Sequence, residues 1–469
     1  MQKLDAVYQR GLRSIQGDPV FRRILTNSGW LLGANGISTV VGLVQGILVA
    51  RALGVEQYGV LSIITTFTGV MGRVFDSRSW ETSIRFVTRF KVYGDEPRAL
   101  AVIKLGYLVD IASAVISLGL AWILAEWGAL YFLKDVSYAS ALRIYAFVLL
   151  CQWSGGTTAL LRVFDRFALA AQINAGMAIL RLLCVVLVLY VWQLGLNGVL
   201  GVYLMLAVLS LAMGIALTIL MVRRYFHVGW RQAPLSLLRG HRREIGRFLL
   251  STNITASFKI VQMQLPTLVL GYLSNPTSVG YYRFGYGIAK NLLLIAGPVQ
   301  SSVYPDFARL WSRKQVSQLK RVVLMLTAVM GVVAFSALVG ALVFGRSVIL
   351  LLVGEEFLAS FPVLVVLFFA NGLVMTTIWL GPAMLASGHA EHNTLAYLLG
   401  DVFLLLSLIL LVPPFGAFGA GLAQISFSLG WTPTAVLLLT KSIRKMREEN
   451  VEFRSDYSPD FPESKRVLS

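Results

Sequence analysis

Apolar residues recur along this chain in long runs between residues 24 and 440, separated by short polar, Gly-rich or basic breaks. A hydrocarbon core is crossed by ~20 residues of α-helix, so each run can span a bilayer. Backbone groups in lipid must be satisfied within their own segment, which makes the helix the expected form of every run. The pattern predicts spans near 24–50, 56–78, 99–125, 138–161, 168–192 and 195–222. A second six follow near 247–272, 279–304, 318–343, 360–386, 393–413 and 416–440. The expected fold class is therefore an all-α polytopic membrane protein with about 12 transmembrane helices.

The two sets of spans begin alike. LVARALGVEQYGVLS at 48–62 and LVLGYLSNPTSVGYYR at 268–283 align Leu53 with Leu273 and, after one inserted residue, Gly59 with Gly280. An even number of spans in each half gives both halves one orientation, so a parallel pseudo-repeat relates two six-helix lobes. The expected organisation is a polar tail at 1–23, an N-lobe at 24–222, a basic linker at 223–246, a C-lobe at 247–440 and a tail at 441–469. The first tail lacks a small-residue cleavage site and reads as a tail, not a signal peptide. The end of the second is polar, aperiodic and expected to be disordered.

Charge then sets the orientation. The chain carries 41 Lys and Arg against 23 Asp and Glu, a net +18. In a soluble chain that balance would suggest nucleic acid, but 57% apolar and 14% charged residues exclude a soluble enzyme or nucleic-acid-binding domain. Of the 41 cations, 33 fall in tails and loops on one side of the predicted topology, and only Arg51, Lys134 and Arg346 on the other. Lys and Arg accumulate on the cytoplasmic side, so both termini are expected there. In the linker, Trp230, Leu235, Leu237 and Leu238 stand among arginines, which suits either a short helix lying on an anionic leaflet or a solvated connector. Cys151 and Cys184 both lie in apolar runs and make neither a disulfide framework nor a metal set.

Five cations lie inside the spans. An ionised side chain at that depth costs at least ~2.5 to 3.5 kcal/mol and should face a cavity or a partner. Arg143 and Arg283 lie about one turn inside the outer helix ends, where snorkelling to headgroups competes with a cavity role. Arg181, Lys259 and Lys290 lie deeper, each about ten to thirteen residues from its helix ends, or ~15 to 20 Å, and are expected to share one depth. Only Asp110 and Asp401 are comparably deep acids, which makes them the candidates for ion coupling. The cation excess suits an anionic substrate such as a lipid diphosphate. Near the end of the second span, Arg73 and Asp76, Arg78 and Glu81, and Glu81 and Arg85 are spaced to pair along a helical face. Gln45, Gln152, Gln264 and other scattered polar residues line the same cavity or bond neighbouring helices. Pro298 and Pro382, each after a glycine, suit hinges or close approach.

ILVARALGVEQYG at 47–59, VGYY at 279–282, Pro298 and YPDFARL at 304–310 together resemble the polysaccharide-export (Wzx-like, oligosaccharide-lipid) flippases of the multidrug/oligosaccharidyl-lipid/polysaccharide exporter superfamily. The resemblance spans residues 24–440. It implies two six-helix lobes without a nucleotide-binding domain, and transfer of undecaprenyl-diphosphate-linked sugars to the outer face of the bacterial cytoplasmic membrane. It also implies a cavity role for Arg73, which falls near a cavity-lining arginine of the lipid-II flippases. Gln264 departs from the family pattern, where many members carry an acid before the end of the seventh helix.

The leading expectation is thus a flippase working by alternating access, with lipid-linked oligosaccharide, membrane lipids and polysaccharide polymerase or other assembly proteins as partners. A drug or organic-cation antiporter of the same fold would carry unpaired midplane acids, and the cation excess argues against it. A membrane-embedded polymerase, ligase or glycosyltransferase would need a large outer loop or an acidic metal motif; the sequence has neither, and no His cluster or Gly-rich phosphate loop. No catalytic residue, metal or cofactor is expected.

Overall fold

The computed structural model describes residues 19–456 apart from 77, 154 and 389, and their side chains outside 19–32, 250–261, 295, 301, 390 and 445–456. Most of the expected first tail and residues 457–469 of the second lie outside the described residues.

All regular structure among the described residues is helical. The helix Pro19–Val74 bends at Gly54 (φ 75°, ψ 173°) into α1 (19–53) and α2 (55–74). Then come α3 (Ser79–Val92), α4 (Glu96–Ile123), α5 (Val136–Val163, with interruptions), α6 (Phe167–Val191) and α7 (Gly195–Tyr225). The later part holds α8 (Arg242–Leu273), α9 (Pro276–Ala289), α10 (Ala296–Ser312), α11 (Val316–Val353) and α12 (Glu355–Ala386). The last helix, Ala390–Asp456, bends at Gly416 (φ 52°) into α13 (390–415) and α14 (417–456). Among the described residues, eight helices are long and apolar enough to cross a membrane. Two of these, Gly33–Val74 and Glu391–Arg444, contain the bends at Gly54 and Gly416 and have length for two crossings each.

Several expected spans are broken, for identifiable reasons. The run 138–161 tightens to a 3-10 helix at Phe147–Cys151 and restarts at Gly155. A Cβ at Gly155 would stand 2.3 Å from Ser79 Oγ and 2.6 Å from Asp110 Oδ2, so the restart is packed too closely for a side chain. The run 279–304 is interrupted by a 3-10 segment, Lys290–Ile295, and continues to Ser312. A proline inside a continuous helix loses its own hydrogen bond and strikes the carbonyl four residues earlier. Here Pro298 falls in the first turn of α10, where it is tolerated, because the helix restarts at Ala296. Pro382 has the same place in Leu380–Ala386, after a break at 377–379.

The linker makes 3-10 turns at Trp230–Gln232 and Leu235–His241 and turns part of its apolar side inward. Leu238, 2% exposed, joins Phe86, Leu100, Ile103, Leu160 and Val222 in one core. Lys104 Nζ from α4 donates to the carbonyls of Trp230 and Ala233, the latter at 2.9 Å. Lys91 Nζ from α3 donates to the Tyr225 carbonyl at 3.0 Å and lies 4.2 Å from the Phe164 ring centroid. Burial among these rings pushes the Lys91 ammonium below the usual lysine value, with Glu96 opposing. Leu238 and Leu235 find an apolar surface within the protein, and two of the turn carbonyls find a cationic donor.

The chain divides into two compact units. The first runs to Ile288 and includes Ser347–Val363 and Val412–Ala417; the second holds Ala289–Arg346, Leu364–Leu411 and the residues from Phe418. In the second unit, Leu292, Met330, Ala334, Met375 and Ile378 form a core, and Trp379 Nε1 donates to Thr327 Oγ1 at 2.9 Å.

The first unit contains a reciprocal contact between α2 and α9. A Cβ at Gly59 would lie 1.8 Å from the Pro276 carbonyl oxygen, and one at Gly280 would lie 2.2 Å from the Val55 carbonyl oxygen. The glycines that the repeat aligns are therefore the glycines that touch, as two-fold pseudosymmetry requires. Flanking contacts are exchanged in the same manner. The Val55 N–H donates to Glu356 Oε1 at 2.9 Å, and Lys134 Nζ donates to the Tyr272 carbonyl at 2.6 Å. Tyr58 meets Phe357 edge-on at 6.2 Å between centroids, and Tyr131 stacks on Tyr272 at 6.0 Å.

Gly59→Ala and Gly280→Ala should each lower the thermal midpoint of the detergent-solubilised protein, by the equivalent of ~1 to 3 kcal/mol expected of overpacking. Gly42→Ala, where an added Cβ meets nothing within 4 Å, should not. Equal midpoints for all three variants would deny the close approach.

Candidate functional site

Arg181 and Arg283 both lie in the first unit, among neutral polar and aromatic side chains. Gln45 on α1 is 5% exposed, within the apolar stretch Val40–Ala50. Arg181 Nε on α6 donates to Gln45 Oε1 at 3.0 Å, and Gln45 Nε2 donates to the Tyr203 hydroxyl of α7 at 2.9 Å. Tyr203 lies in electrostatic range of Arg181 and of Tyr58 on α2, and Tyr58 in range of Arg283 on α9. Tyr145 of α5 feels both Arg181 and Tyr203. Arg283 Cζ lies 6.0 Å from the Tyr286 ring centroid. An amide thus orients the Arg181 guanidinium, Arg283 lies near an aromatic ring, and among the described residues neither has a carboxylate partner. Two positive charges held by groups that do not cancel them are suited to a phosphate or diphosphate, which accepts several charge-assisted hydrogen bonds at once.

The other expected residues are placed differently. Arg143 Nη2 is 2.6 Å from Glu126 Oε1, and its guanidinium lies 5.1 Å from the Trp122 ring centroid, so its charge is met by a carboxylate. Lys290 opens the 3-10 segment and belongs to the second unit; the side chain of Lys259 lies outside the described residues. Arg73 is exposed in the last turn of α2. The helix stops at Val74, so the spacing expected to pair Arg73 with Asp76 is not helical there. Asp76 Oδ1 instead accepts from the Arg78 N–H at 3.0 Å. Of the expected pairs in this stretch, Arg78 and Glu81 meet at 2.7 Å. Arg85 turns from Glu81 toward Glu244, at 4.0 Å, and Arg89 meets the same carboxylate at 2.9 Å.

Asp110 lines a cavity of about 70 Å³ with Asp76, Ser113, Ser117 and Gln152, and its Oδ2 accepts from the Gly155 N–H at 3.1 Å. Asp401, in the second unit, is 6% exposed, and neither carboxylate oxygen has a hydrogen-bond partner among the described residues. Tyr397, in electrostatic range, stands one helical turn away.

Gln45 was visible in the sequence as a polar residue in an apolar run, but Tyr58, Tyr145 and Tyr203 were not. Tyrosine is common at membrane interfaces and in cores, so only its neighbours show that a hydroxyl belongs to a site.

The family described as Polysaccharide biosynthesis protein matches residues 24–311, more than half of the chain. The inner membrane protein YghQ of Escherichia coli (strain K12) is 24% identical over 362 residues, covering 74% of this chain and 97% of that protein. The probable flippase AglR of Haloferax volcanii is 25% identical over 186 residues, 39% of each chain. The structure of the lipid II flippase MurJ in an inward closed conformation superposes with a TM-score of 0.67 at 13% identity, covering 91% of this chain and 93% of that one. At that identity the likeness is one of fold.

Gln45→Leu leaves Arg181 and Tyr203 without their shared partner and should destabilise the solubilised protein by ~1 to 3 kcal/mol. Gln45→Glu can accept from both neighbours and should melt near the wild-type midpoint. A wild-type midpoint for Gln45→Leu would show that the bridge does not form.

Proposed function

We propose that this chain, which belongs to the polysaccharide biosynthesis protein family, is a flippase that moves an undecaprenyl-diphosphate-linked oligosaccharide from the inner to the outer face of the cytoplasmic membrane for cell-surface polysaccharide assembly. The observation that carries the reading is the hydrogen-bonded Arg181–Gln45–Tyr203 chain, with Arg283 in electrostatic range of Tyr58: a guanidinium held by a neutral amide, a second cation in the same unit, and no carboxylate partner for either among the described residues. The superfamily fold and the flippase names among its relatives support transport as the activity. No enzymatic step is needed, since the substrate changes face without a change in its bonds.

Alternating access supplies the mechanism. The exchanged contacts around Gly59 and Gly280 lie at the loop ends poor in Lys and Arg, which the charge asymmetry assigns to the outer face. They close that face while the diphosphate enters from the inner leaflet, with both termini on the cytoplasmic side. Binding offsets the repulsion among cations and favours a rearrangement in which the outer contacts part, provided that the substrate binds the second state more tightly. Lys259 and Lys290 are further candidate phosphate contacts, Arg73 a contact on the inner side, and Arg143 an outer-end residue that stays with Glu126. Asp110 and Asp401 are the candidates for ion coupling. A buried carboxylate with both oxygens unmet, as at Asp401, is costly unless a proton, a cation or a rearranged partner meets it. A polysaccharide polymerase would take the product at the outer face.

The test is transfer of a fluorescent polyprenyl-diphosphate oligosaccharide across proteoliposomes. Arg181→Ala and Arg283→Ala should each weaken substrate binding ~10- to 100-fold, the loss expected for a charge-assisted contact, with normal folding. Lys290→Ala and Lys259→Ala should weaken it in the same direction, and glutamate at any of these positions should be worse than alanine. Unchanged transfer by an Arg181→Glu, Arg283→Glu double variant would overturn the anionic-substrate reading.

A further inference from the structure

A groove of about 450 Å³ lies in the first unit where the start of α6 meets the end of α7. Leu169, Leu217, Leu220 and Met221 give it apolar walls, and Arg166 and Arg224 stand at its basic end. Both guanidiniums lie 5.9 Å from the ring centroid of Tyr225, which also lines the groove. Arg166 is held there by two hydrogen bonds, Nε and Nη2 donating to the Tyr225 hydroxyl at 2.9 and 2.7 Å. The ring is itself fixed, stacked on Phe164 at 4.0 Å between centroids. Arg224 is exposed and has no carboxylate partner among the described residues. Asp165, the one acid on the lining, leaves the groove net positive.

We infer that this groove binds an anionic phospholipid of the inner leaflet. The cationic end is at the level of the basic loops, where headgroup phosphates lie, and the apolar walls extend from it along two membrane-spanning helices. A phosphodiester between Arg166 and Arg224 would satisfy donors that the chain leaves open, while an acyl chain covers Leu217, Leu220 and Met221. Basic pockets between helices on this side of a membrane suit anionic headgroups for this reason. A free phosphate would use only the basic end and leave the apolar walls bare. The site is separate from the Arg181 and Arg283 cluster and rests only on the membrane reading. Its occupant would fasten α6, which carries Arg181, to α7, which carries Tyr203.

The test is native mass spectrometry of the full chain in detergent with phosphatidylglycerol or phosphatidylethanolamine. Wild type should retain phosphatidylglycerol preferentially. Arg166→Gln and Arg224→Gln should each weaken that retention about five- to tenfold, the effect of one cation near an anionic headgroup. Arg224→Lys, which keeps the charge, and Arg223→Gln, beside the groove but not on its lining, should bind like wild type. Inorganic phosphate at millimolar concentration should not displace the lipid. The proposal is overturned by equal retention of the two lipids, by wild-type retention in a folded Arg166→Gln, Arg224→Gln double variant, or by displacement with inorganic phosphate. A wild type that elutes as a dimer dispersed by Leu220→Arg would assign the groove to a second copy and overturn it as well.

Discussion

The contact between Gly59 and Gly280 sets the terms for the rest of the first unit. Two helices can approach until a carbonyl occupies the space of a missing Cβ only where the residue is glycine, and here each repeat supplies one. That approach brings the bend at Gly54 beneath Glu356 and the end of α8 beneath Lys134, so each half's helix junction is held by a charged side chain of the other. The positive φ of Gly54 frees the Val55 N–H from α1 and turns it toward the glutamate. It follows that segments distant in sequence, such as Ser347–Val363, belong to the same compact unit as α1 and α2.

The same approach bears on the candidate site. Tyr58 stands one residue before Gly59, on the turn that the contact fixes, and Arg283 stands three residues after Gly280. Their electrostatic proximity is a consequence of the glycine contact, and through Tyr203 it extends to Gln45 and Arg181. The cation cluster and the glycine contact therefore share helices α2 and α9. Any motion that separates α2 from α9 must alter the environment of Arg283.

Much of this fold was legible in the sequence because lipid imposes a simple rule, and apolar runs of sufficient length become helices. The alignment of Gly59 with Gly280 was read as a repeat; that the two glycines also meet was not legible, because a residue's place on a symmetry axis is not written in its own sequence. Interruptions were harder to read. Pro298 and Pro382 were visible, but a proline can kink a helix or sit in the first turn of a new one, and the choice depends on whether the preceding turn can tighten to 3-10. The packing of Leu238 was not legible because amphipathic leucines pack as well on protein as on lipid, and only the folded core shows which is near. Arg85 selected Glu244, which Arg89 also meets about 155 positions away in sequence, over Glu81 at helical spacing, a tertiary choice beyond any local rule. Sequence depth grouped Arg181 with Lys259 and Lys290, whereas the partners of Arg181, Gln45 and Tyr203, come from two other helices.

The central claim is that transport requires the outer-end contacts between the repeats to part. Tyr131 and Tyr272, whose rings stack at 6.0 Å, offer a way to prevent it without touching the cation cluster. In a background with Cys151 and Cys184 replaced, cysteines at both positions can be joined by a short reducible thiol cross-linker and the protein assayed in proteoliposomes. The account predicts that the cross-linked protein still binds the lipid-linked diphosphate but does not transfer it, and that reduction restores transfer. Transfer at the uncross-linked rate with the bridge quantitatively in place would contradict it.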